Sequence, residues 1–213
     1  MRAESDTDLL LKRAETGDEA AVDTLLLRHR HRLRAMVGAR LDRRVAARID
    51  PSDVVQESLL EAYRRLPDYL ADRQVPFYPW LRQIAWERLV RLQRRHLVAR
   101  KRAVGREVAL DAVLSDDSMA VLASRLHKTG VGPPPRVVNA ELRGRIQAAL
   151  EQVSEADREV VILRHLEQLS IREIMAVLDL KESAVKLRLL RALERLRSYL
   201  DDDDGLGRTR QPE

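Results

Sequence analysis

Apolar residues recur at intervals of three and four positions through most of this 213-residue chain, and that spacing constrains its fold more than any other feature. An α-helix has about 3.6 residues per turn, so this interval places apolar side chains on one helical face, whereas a half-buried strand would alternate. The eight glycines and eight prolines are too unevenly placed to interrupt these segments often. The sequence therefore predicts an all-α protein.

The segment 107–136 separates two such helical regions. It mixes Ser, Asp and Gly with three consecutive prolines, a run that cannot continue a helix and that favours an extended chain. We expect a flexible linker there, with one short helix over about 117–126. The predicted organisation is a four-helix domain over 1–106, this linker, a second helical domain over 137–200 and a disordered acidic tail over 201–213.

Capping residues and apolar stripes set the predicted helix boundaries. Asp18 is expected to cap the second helix and Ser52 or Asp53 the third, while Ser154 and Ser170 each precede an acidic residue by three positions. The turn at 179–182 is short enough for a helix-turn-helix, although many small helical domains share this periodicity. The predicted helices span about 7–15, 19–45, 53–66, 80–99, 138–152, 155–166, 171–178 and 182–198, with a proline-broken loop over 67–79.

The composition excludes several classes of chemistry. The chain has no cysteine, its five histidines lack metal-ligand spacing, and it contains no glycine-rich phosphate loop or nucleophile–base set. We therefore expect no metal, no cofactor and no enzymatic activity. No apolar run approaches the roughly 18 residues of a membrane helix and the N-terminus lacks the apolar run of a signal peptide, so we expect a cytoplasmic protein without membrane contact.

Charge is concentrated in three blocks. Between Arg28 and Arg48 eight arginines accompany one acid, and between Trp80 and Arg106 nine basic residues accompany one acid. The segment 50–61, which lies between them, has four acids and no base. Like charges on one helix repel each other, so a bound polyanion stabilises a strongly basic helix. For any single charged block, a solvent-exposed helix face is the simpler explanation.

Six of the seven aromatic residues lie between Tyr63 and Trp86. Trp86 lies opposite the apolar stripe of its helix, so we expect it to be exposed, whereas Tyr63 and Trp80 are predicted to fill the core. Aromatic side chains beside cations stack on unpaired bases, which is worth roughly 1–3 kcal/mol per base. The pattern favours a surface for single-stranded nucleic acid, with Tyr78 and Trp86 as contacts.

Two longer motifs connect these features to one family. Residues 53–66, DVVQESLLEAYRRL, followed by Phe77, Trp80 and an Ile-Ala pair that opens into the basic helix, closely resemble region two of bacterial extracytoplasmic-function sigma factors of the sigma-70 family. Residues from Leu150 to Arg197 resemble region four of the same family, in the same order and after a linker. From both motifs together the chain is identified as a member of this family.

The resemblance implies an alternative sigma factor that binds core RNA polymerase, recognises and melts promoter DNA and directs transcription initiation. In the family the acidic helix docks on the clamp helices of the largest polymerase subunit, the basic helix captures the minus-ten element as single strand, and the last helix reads the minus-thirty-five element. The flap of the second-largest subunit is a further expected contact, and an anti-sigma factor is a common partner.

Carried onto this sequence, the family's motifs assign residues to each task. The expected core-polymerase-binding residues are Asp50, Asp53, Gln56, Glu57 and Glu61. The expected minus-ten residues are Tyr78, Trp80, Trp86, Arg88, Arg94 and Arg95. The expected minus-thirty-five residues are Lys181, Ser183, Lys186, Leu187, Arg188 and Arg191.

Four positions depart from the family's usual pattern. Glu87 and Arg91 replace the usual Asn and Asp, while Leu187 and Leu190 occupy outer-face positions that are commonly polar. Leu187 is expected either to touch a thymine methyl group or to pack against a partner. The alternative function is a helix-turn-helix regulator that does not act with polymerase, a class that needs neither the acidic helix nor the aromatic cluster.

Overall fold

The computed structural model describes residues 2–42, 45–101, 114, 116–131 and 140–206. Every regular element within these residues is helical, which confirms the all-α prediction. The chain forms two compact units, Met1–Val113 and Leu114–Glu213.

The first unit is built from four α-helices that share one core. They are α1 (Arg2–Glu15), α2 (Glu19–Arg40), α3 (Pro51–Ala71) and α4 (Phe77–Lys101), with a short 3-10 turn at Ala46–Arg48. Helix α2 packs against the other three, and α3 packs against α4. Fully buried side chains from α2 and α4 fill the centre, and they include Leu25, Leu33, Met36, Leu81 and Leu89.

Helix α2 begins where the sequence predicts but ends five residues early. Asp18 caps it by accepting a hydrogen bond from the Ala21 amide at 3.0 Å. At the other end Leu41 turns to an extended conformation, and the buried amide of Gln93 accepts from the Asp42 amide at 2.8 Å. This side chain of α4 satisfies a backbone group beyond the helix end, so packing between helices ends α2 before residue 45.

Helix α3 differs from its predicted boundaries at both ends. Asp50, rather than Ser52 or Asp53, is the N-cap and accepts from the Ser52 amide at 2.7 Å, with Pro51 in the first turn. The helix also continues through Pro67 to Ala71, so the predicted break at this proline is wrong. Leu66 and Tyr69 on either side of it are buried, and their burial offsets the one helical hydrogen bond that Pro67 cannot donate.

The second unit contains the four predicted C-terminal helices. They are α6 (Ala140–Gln152), α7 (Glu155–Val161) continuing as a π-helical turn at Ile162–Leu166, α8 (Ile171–Leu178) and α9 (Glu182–Leu206). Ser154 caps α7, and Ser170 with Glu173 forms a complete capping box at the start of α8. Helices α6, α7 and α8 all pack against α9, so α9 is the central element of this unit.

A fifth helix of this unit, α5 (Asp116–His127), lies where the sequence predicts a short helix within a flexible linker. The helix is present, but Met119, Leu122 and Leu126 are buried as it packs against α6 and the π-helical turn. This part of 107–136 therefore belongs to the second unit, because its apolar stripe finds a partner there. Residues 107–113, 115 and 132–136 of the predicted linker lie outside the described residues.

Helix α9 is longer than predicted. Its backbone stays helical through Asp201–Asp204 to Leu206, so the first part of the predicted disordered tail is helical. Extending an existing helix adds one hydrogen bond per residue, which costs much less than nucleating a new one. Residues 207–213 lie outside the described part of the chain.

Candidate nucleic-acid interface

The outer face of α3 presents the predicted acidic residues. Asp53, Gln56 and Glu57 are exposed, because Val54, Val55, Ser58 and Ala62 occupy the face that packs into the core. The Ser58 hydroxyl donates to the Val54 carbonyl at 2.6 Å, which lets a polar side chain lie in that core. Asp53 and Gln56 have no side-chain partner within the described residues. We call Asp53, Gln56 and Glu57 the acidic face.

The other two predicted acidic residues have local structural roles. The carboxylate of Asp50 is the N-cap of α3. Glu61 is half-buried, accepts from Arg65 Nε at 2.7 Å and lies 3.6 Å from Arg64 Nη1. Both carboxylates are therefore engaged in local interactions, which makes them poorer docking residues than Asp53 and Gln56.

An ion pair joins two residues that the sequence assigns to different partners. Glu57 of the acidic face pairs with Arg88 of α4, which is half-buried and predicted to contact the minus-ten element. The two side chains line a cleft of about 310 Å³ between α3 and α4, together with Glu61, Glu87 and Arg91. Arg88 is thus a bridge between the two helices in this structure, rather than a free cation.

Burial removes Tyr78 from the predicted single-strand surface. Its ring is only 2% exposed, lies 5.5 Å from the His29 ring and is covered by the Arg32 guanidinium at 3.6 Å. A base has no access to either of its faces, so this assignment is wrong. The prediction for Tyr63 is wrong in the other direction, because Tyr63 is predicted to lie in the core and is 48% exposed. Ala62 and Leu66 occupy the buried side of α3, and Tyr63 lies outside that stripe on the exposed side of the helix.

The two tryptophans of α4 remain partly accessible. Trp80 stacks on Tyr69 with ring centroids 4.5 Å apart, so one of its faces is occupied. Trp86 is half-buried, and the Arg40 guanidinium of α2 lies 5.9 Å from its ring centroid. Arg40 is not among the residues that the motifs assign to a partner, since only tertiary packing brings the end of α2 beside Trp86.

Two further cations lie beyond Trp86 on the same helix. Arg94 and Arg95 are exposed, and neither has a partner within the part of the chain that the structure describes. Between Trp86 and this pair, the buried Gln93 holds α4 against the end of α2. At about 100° per residue, Arg94 lies about 80° from Trp86 around the axis of α4, whereas Arg95 lies about 180° away. Trp86, Arg40 and Arg94 therefore form a surface of one aromatic ring and two cations, which we call the cationic face, and Arg95 lies on the opposite side of α4.

In the second unit, α8 and α9 form a helix-turn-helix. Ser170 Oγ accepts from the Glu173 amide at 3.2 Å, and Glu173 Oε2 accepts from the Ser170 amide at 2.7 Å. Asp179 then adopts a left-handed conformation, with φ 52° and ψ 50°, and the Leu180 amide donates to the Met175 carbonyl at 3.1 Å. Ile174 of α8 and Val185 of α9 are fully buried. This tight turn sets the angle at which α9 leaves α8.

The residues predicted to read duplex DNA lie at the start of α9. Lys181, Ser183, Lys186, Leu187 and Arg191 are exposed and Arg188 is half-buried. Glu182 pairs with Lys186 one turn later. The opposite side of the helix is buried through Val185, Ala192 and Leu196. Packing thus turns the predicted residues outward in one group.

Two findings apply to all residues that the structure describes. None of its helices is both long enough and apolar enough to cross a membrane. Its described side chains include no group of three or more His, Asp or Glu residues arranged to hold a metal ion.

Comparison with known proteins gives a consistent result for both units. The family model for sigma-70 region 2 matches residues 25–97, and the model for sigma-70 region 4 matches residues 143–196. The chain is 31% identical over 191 residues to the ECF RNA polymerase sigma-E factor of Salmonella typhimurium, covering 87% of this chain and 90% of that protein.

Two further similarities extend the comparison. The RNA polymerase sigma-H factor of Pseudomonas aeruginosa is 29% identical over 185 residues, with coverage of 87% of this chain and 89% of that one. A solved structure of CnrH in complex with the cytosolic domain of CnrY shares 25% identity and covers 93% of this chain and 99% of its own, with a TM-score of 0.52. The chain belongs to the extracytoplasmic-function sigma factors of the sigma-70 family and is an alternative sigma factor that directs transcription initiation.

Proposed function

We propose that the acidic face of α3 binds the clamp helices of the largest subunit of core RNA polymerase. The observation that carries this proposal is the exposure of Asp53, Gln56 and Glu57 within little more than one helical turn, in a segment without a base. A basic partner surface gains Coulomb attraction from such a face, which raises the association rate and fixes the register. The exposed Leu60, one turn further along α3, adds apolar area to the same side.

The cationic face of the first unit is proposed to hold the minus-ten element as single strand. Arg40 and Arg94 supply charge for the phosphates, and the half-buried Trp86 supplies a ring for stacking. Arg95, on the other side of α4, is proposed to contact phosphates only. Trp80 has one face against Tyr69, so it contributes at most its other face or its edge. Of the two tryptophans, Trp86 is therefore the stronger candidate for a base contact.

The start of α9 is proposed to read the minus-thirty-five element in the major groove. In helix-turn-helix proteins the N-terminal residues of the second helix contact base edges, while flanking cations contact phosphates. Ser183 and Leu187 face outward here, and Lys186, Arg188 and Arg191 flank them. Such a polymerase subunit acts by binding rather than by catalysis, and it works in the cytoplasm. The flap of the second-largest subunit and an anti-sigma factor are further proposed partners.

Reversing the charge of the acidic face tests the docking proposal. The variant Asp53→Lys/Glu57→Lys is expected to bind core polymerase more than tenfold more weakly, because it places like charges against a basic surface. Affinity is measured by fluorescence anisotropy with labelled full-length protein and purified core polymerase. Binding of the free chain to duplex DNA is expected to stay the same, since α9 lies in the other unit.

A matched control carries the same change of net charge elsewhere on the first unit. Asp23→Lys/Asp68→Lys alters two exposed carboxylates of α2 and α3 outside the acidic face and is expected to keep wild-type polymerase affinity. Equal affinities for the Asp53/Glu57 variant and this control would refute the docking assignment. Run-off transcription from a promoter library, with core polymerase alone as the blank, reports the sigma activity itself.

A further inference from the structure

Two leucines are exposed on the outer side of α9. Leu187 is 46% exposed and Leu190 is 54% exposed, although the same helix buries Val185, Ala192 and Leu196 on its other side. Leu187 follows Val185 by two positions, which is about 200° around the helix. The two leucines therefore point away from the core of the second unit, together with Ser183.

Cations flank these leucines on both sides, although Lys186 is paired with Glu182 and the exposed Glu194 follows Leu190 by one turn. Lys186 lies on one flank, and Arg188 and Arg191 lie on the other. An apolar strip between cations is complementary to a groove whose edges carry negative charge and whose base exposes apolar groups. It is less complementary to a groove of a protein that is apolar throughout. In the major groove of DNA the phosphates form the walls, and the C5-methyl group of thymine is the apolar group on the floor.

The spacing of the two leucines also fits neighbouring bases. Leu187 and Leu190 are separated by three residues, or about 4.5 Å along the helix axis. Successive nucleotides of one DNA strand are separated by about 3.4 Å along the duplex. Two side chains at this separation reach adjacent base pairs when the helix lies in the groove.

We propose that Leu187 and Leu190 read thymine methyl groups in the upstream promoter element. The inference rests on the proposed placement of α9 in the major groove, and it names the chemical feature that this helix selects. Contact with a methyl group removes apolar surface of both partners from water, and burying one such group is worth about a fourfold change in affinity. Leucine at these two positions, which are commonly polar in the family, would thereby make the helix prefer thymine.

Replacing thymine by deoxyuridine tests the proposal, because the two bases differ only in the C5-methyl group. Holoenzyme assembled from full-length protein and core polymerase first selects its preferred upstream element from a random duplex library. The dissociation constant is then measured for the selected duplex and for versions with deoxyuridine at each thymine in turn. For the wild-type protein we expect about fourfold weaker binding at one or two thymines. The variants Leu187→Ser and Leu190→Ser are each expected to lose this difference at one position.

An exposed leucine of the other unit supplies the control. Leu27→Ser changes α2 and is expected to keep the wild-type ratio of thymine to deoxyuridine affinity. The proposal is overturned by a selected element without thymine, by equal affinity of the wild-type protein for both bases, or by serine variants that keep the full difference. Serine variants that keep DNA affinity but lose binding to a protein partner would assign the leucines to that partner instead.

Failure of the proposed function has a different signature. The ratio of affinities is a property of duplex binding, and the free full-length chain also reports it. A chain that discriminates thymine from deoxyuridine but supports no run-off transcription would refute the promoter role of α9 and leave methyl recognition standing. Transcription from the selected element without discrimination would refute the leucine assignment alone.

Discussion

His165 in the π-helical turn is the residue whose ionisation the fold changes most clearly. Burial, together with the positive charges of Arg164 and Arg125, lowers the pKa of His165 from 6.5 to about 4. Arg125 lies close because its Nη1 donates to the carbonyls of His165 and Leu166 at 2.7 and 2.8 Å. The same burial lowers the pKa of Arg125. The Arg125 guanidinium thus holds α5 on the turn, while burial is the largest of the causes that lower the pKa of the neighbouring imidazole.

The free energy of unfolding is expected to depend on pH through His165. Between pH 6.5 and 4 the unfolded chain protonates this residue while the folded chain does not, so stability falls as the pH falls. The free energy of unfolding changes by at most about 1.4 kcal/mol per pH unit through His165. Above pH 6.5 His165 no longer makes this free energy depend on pH. Urea unfolding followed by circular dichroism at pH 7, 6 and 5 measures it. His165→Gln should flatten the profile, whereas His31→Gln on the exposed side of α2 should not. Parallel profiles for all three proteins would contradict this explanation.

Among the elements, α3 shows how packing overrides a local signal. A proline in a helix interior removes one hydrogen bond and crowds the preceding turn, which costs about 3 kcal/mol in an isolated helix. The helix nevertheless passes through Pro67, because Ala62, Leu66 and Tyr69 all bury their side chains in one core. Tyr69 also donates a hydrogen bond to the Val75 carbonyl at 3.0 Å, which ties the following loop to the helix.

Pro67→Ala is therefore expected to stabilise the protein by about 1–2 kcal/mol. Alanine restores the missing amide donor, and part of the gain is offset by the greater freedom of the unfolded chain. Thermal unfolding followed by tryptophan fluorescence reports on the first unit, which contains both tryptophans. Pro51→Ala is the control, since an amide in the first turn has no partner within the helix. Similar midpoints for the two variants would show that Pro67 costs the helix nothing.

At the scale of the whole molecule, each of the two units carries proposed binding surfaces of its own. The acidic face and the cationic face lie in the first unit, and the outward side of α9 lies in the second. A cation that contacts a phosphate releases counterions from the DNA. Each such contact therefore makes the slope of log K against log salt steeper by about one. This dependence separates phosphate contacts from base contacts without a structure of the complex.

Arg188→Ala is expected to weaken binding to duplex DNA and to lower the slope of log K against log salt by about one, without a change in preferred sequence. The measurement is a salt titration of holoenzyme on its selected upstream element. Lys128→Ala, an exposed cation at the end of α5, serves as the control and should keep the wild-type slope. An unchanged slope with altered sequence preference would assign Arg188 to a base instead.

Periodicity and capping residues by themselves determined the helical class and most helix positions. The starts of α7, α8 and α9 were predicted correctly, because Ser154, Ser170 and the 179–182 turn act through hydrogen bonds within a few residues of chain. The family motifs likewise identified the acidic helix and the helix-turn-helix, since a motif is a property of contiguous sequence.

Tertiary structure alone decided which of the proposed site residues are accessible. Contacts between helices bury Tyr78 under Arg32, pair Arg88 with Glu57 and bring Arg40 beside Trp86. Such contacts also place α5, which the sequence assigns to the linker, in the second unit. Each of these outcomes joins residues that are far apart in sequence. Their free energy comes from burial and from charges that meet only after the helices pack, so no local pattern encodes them.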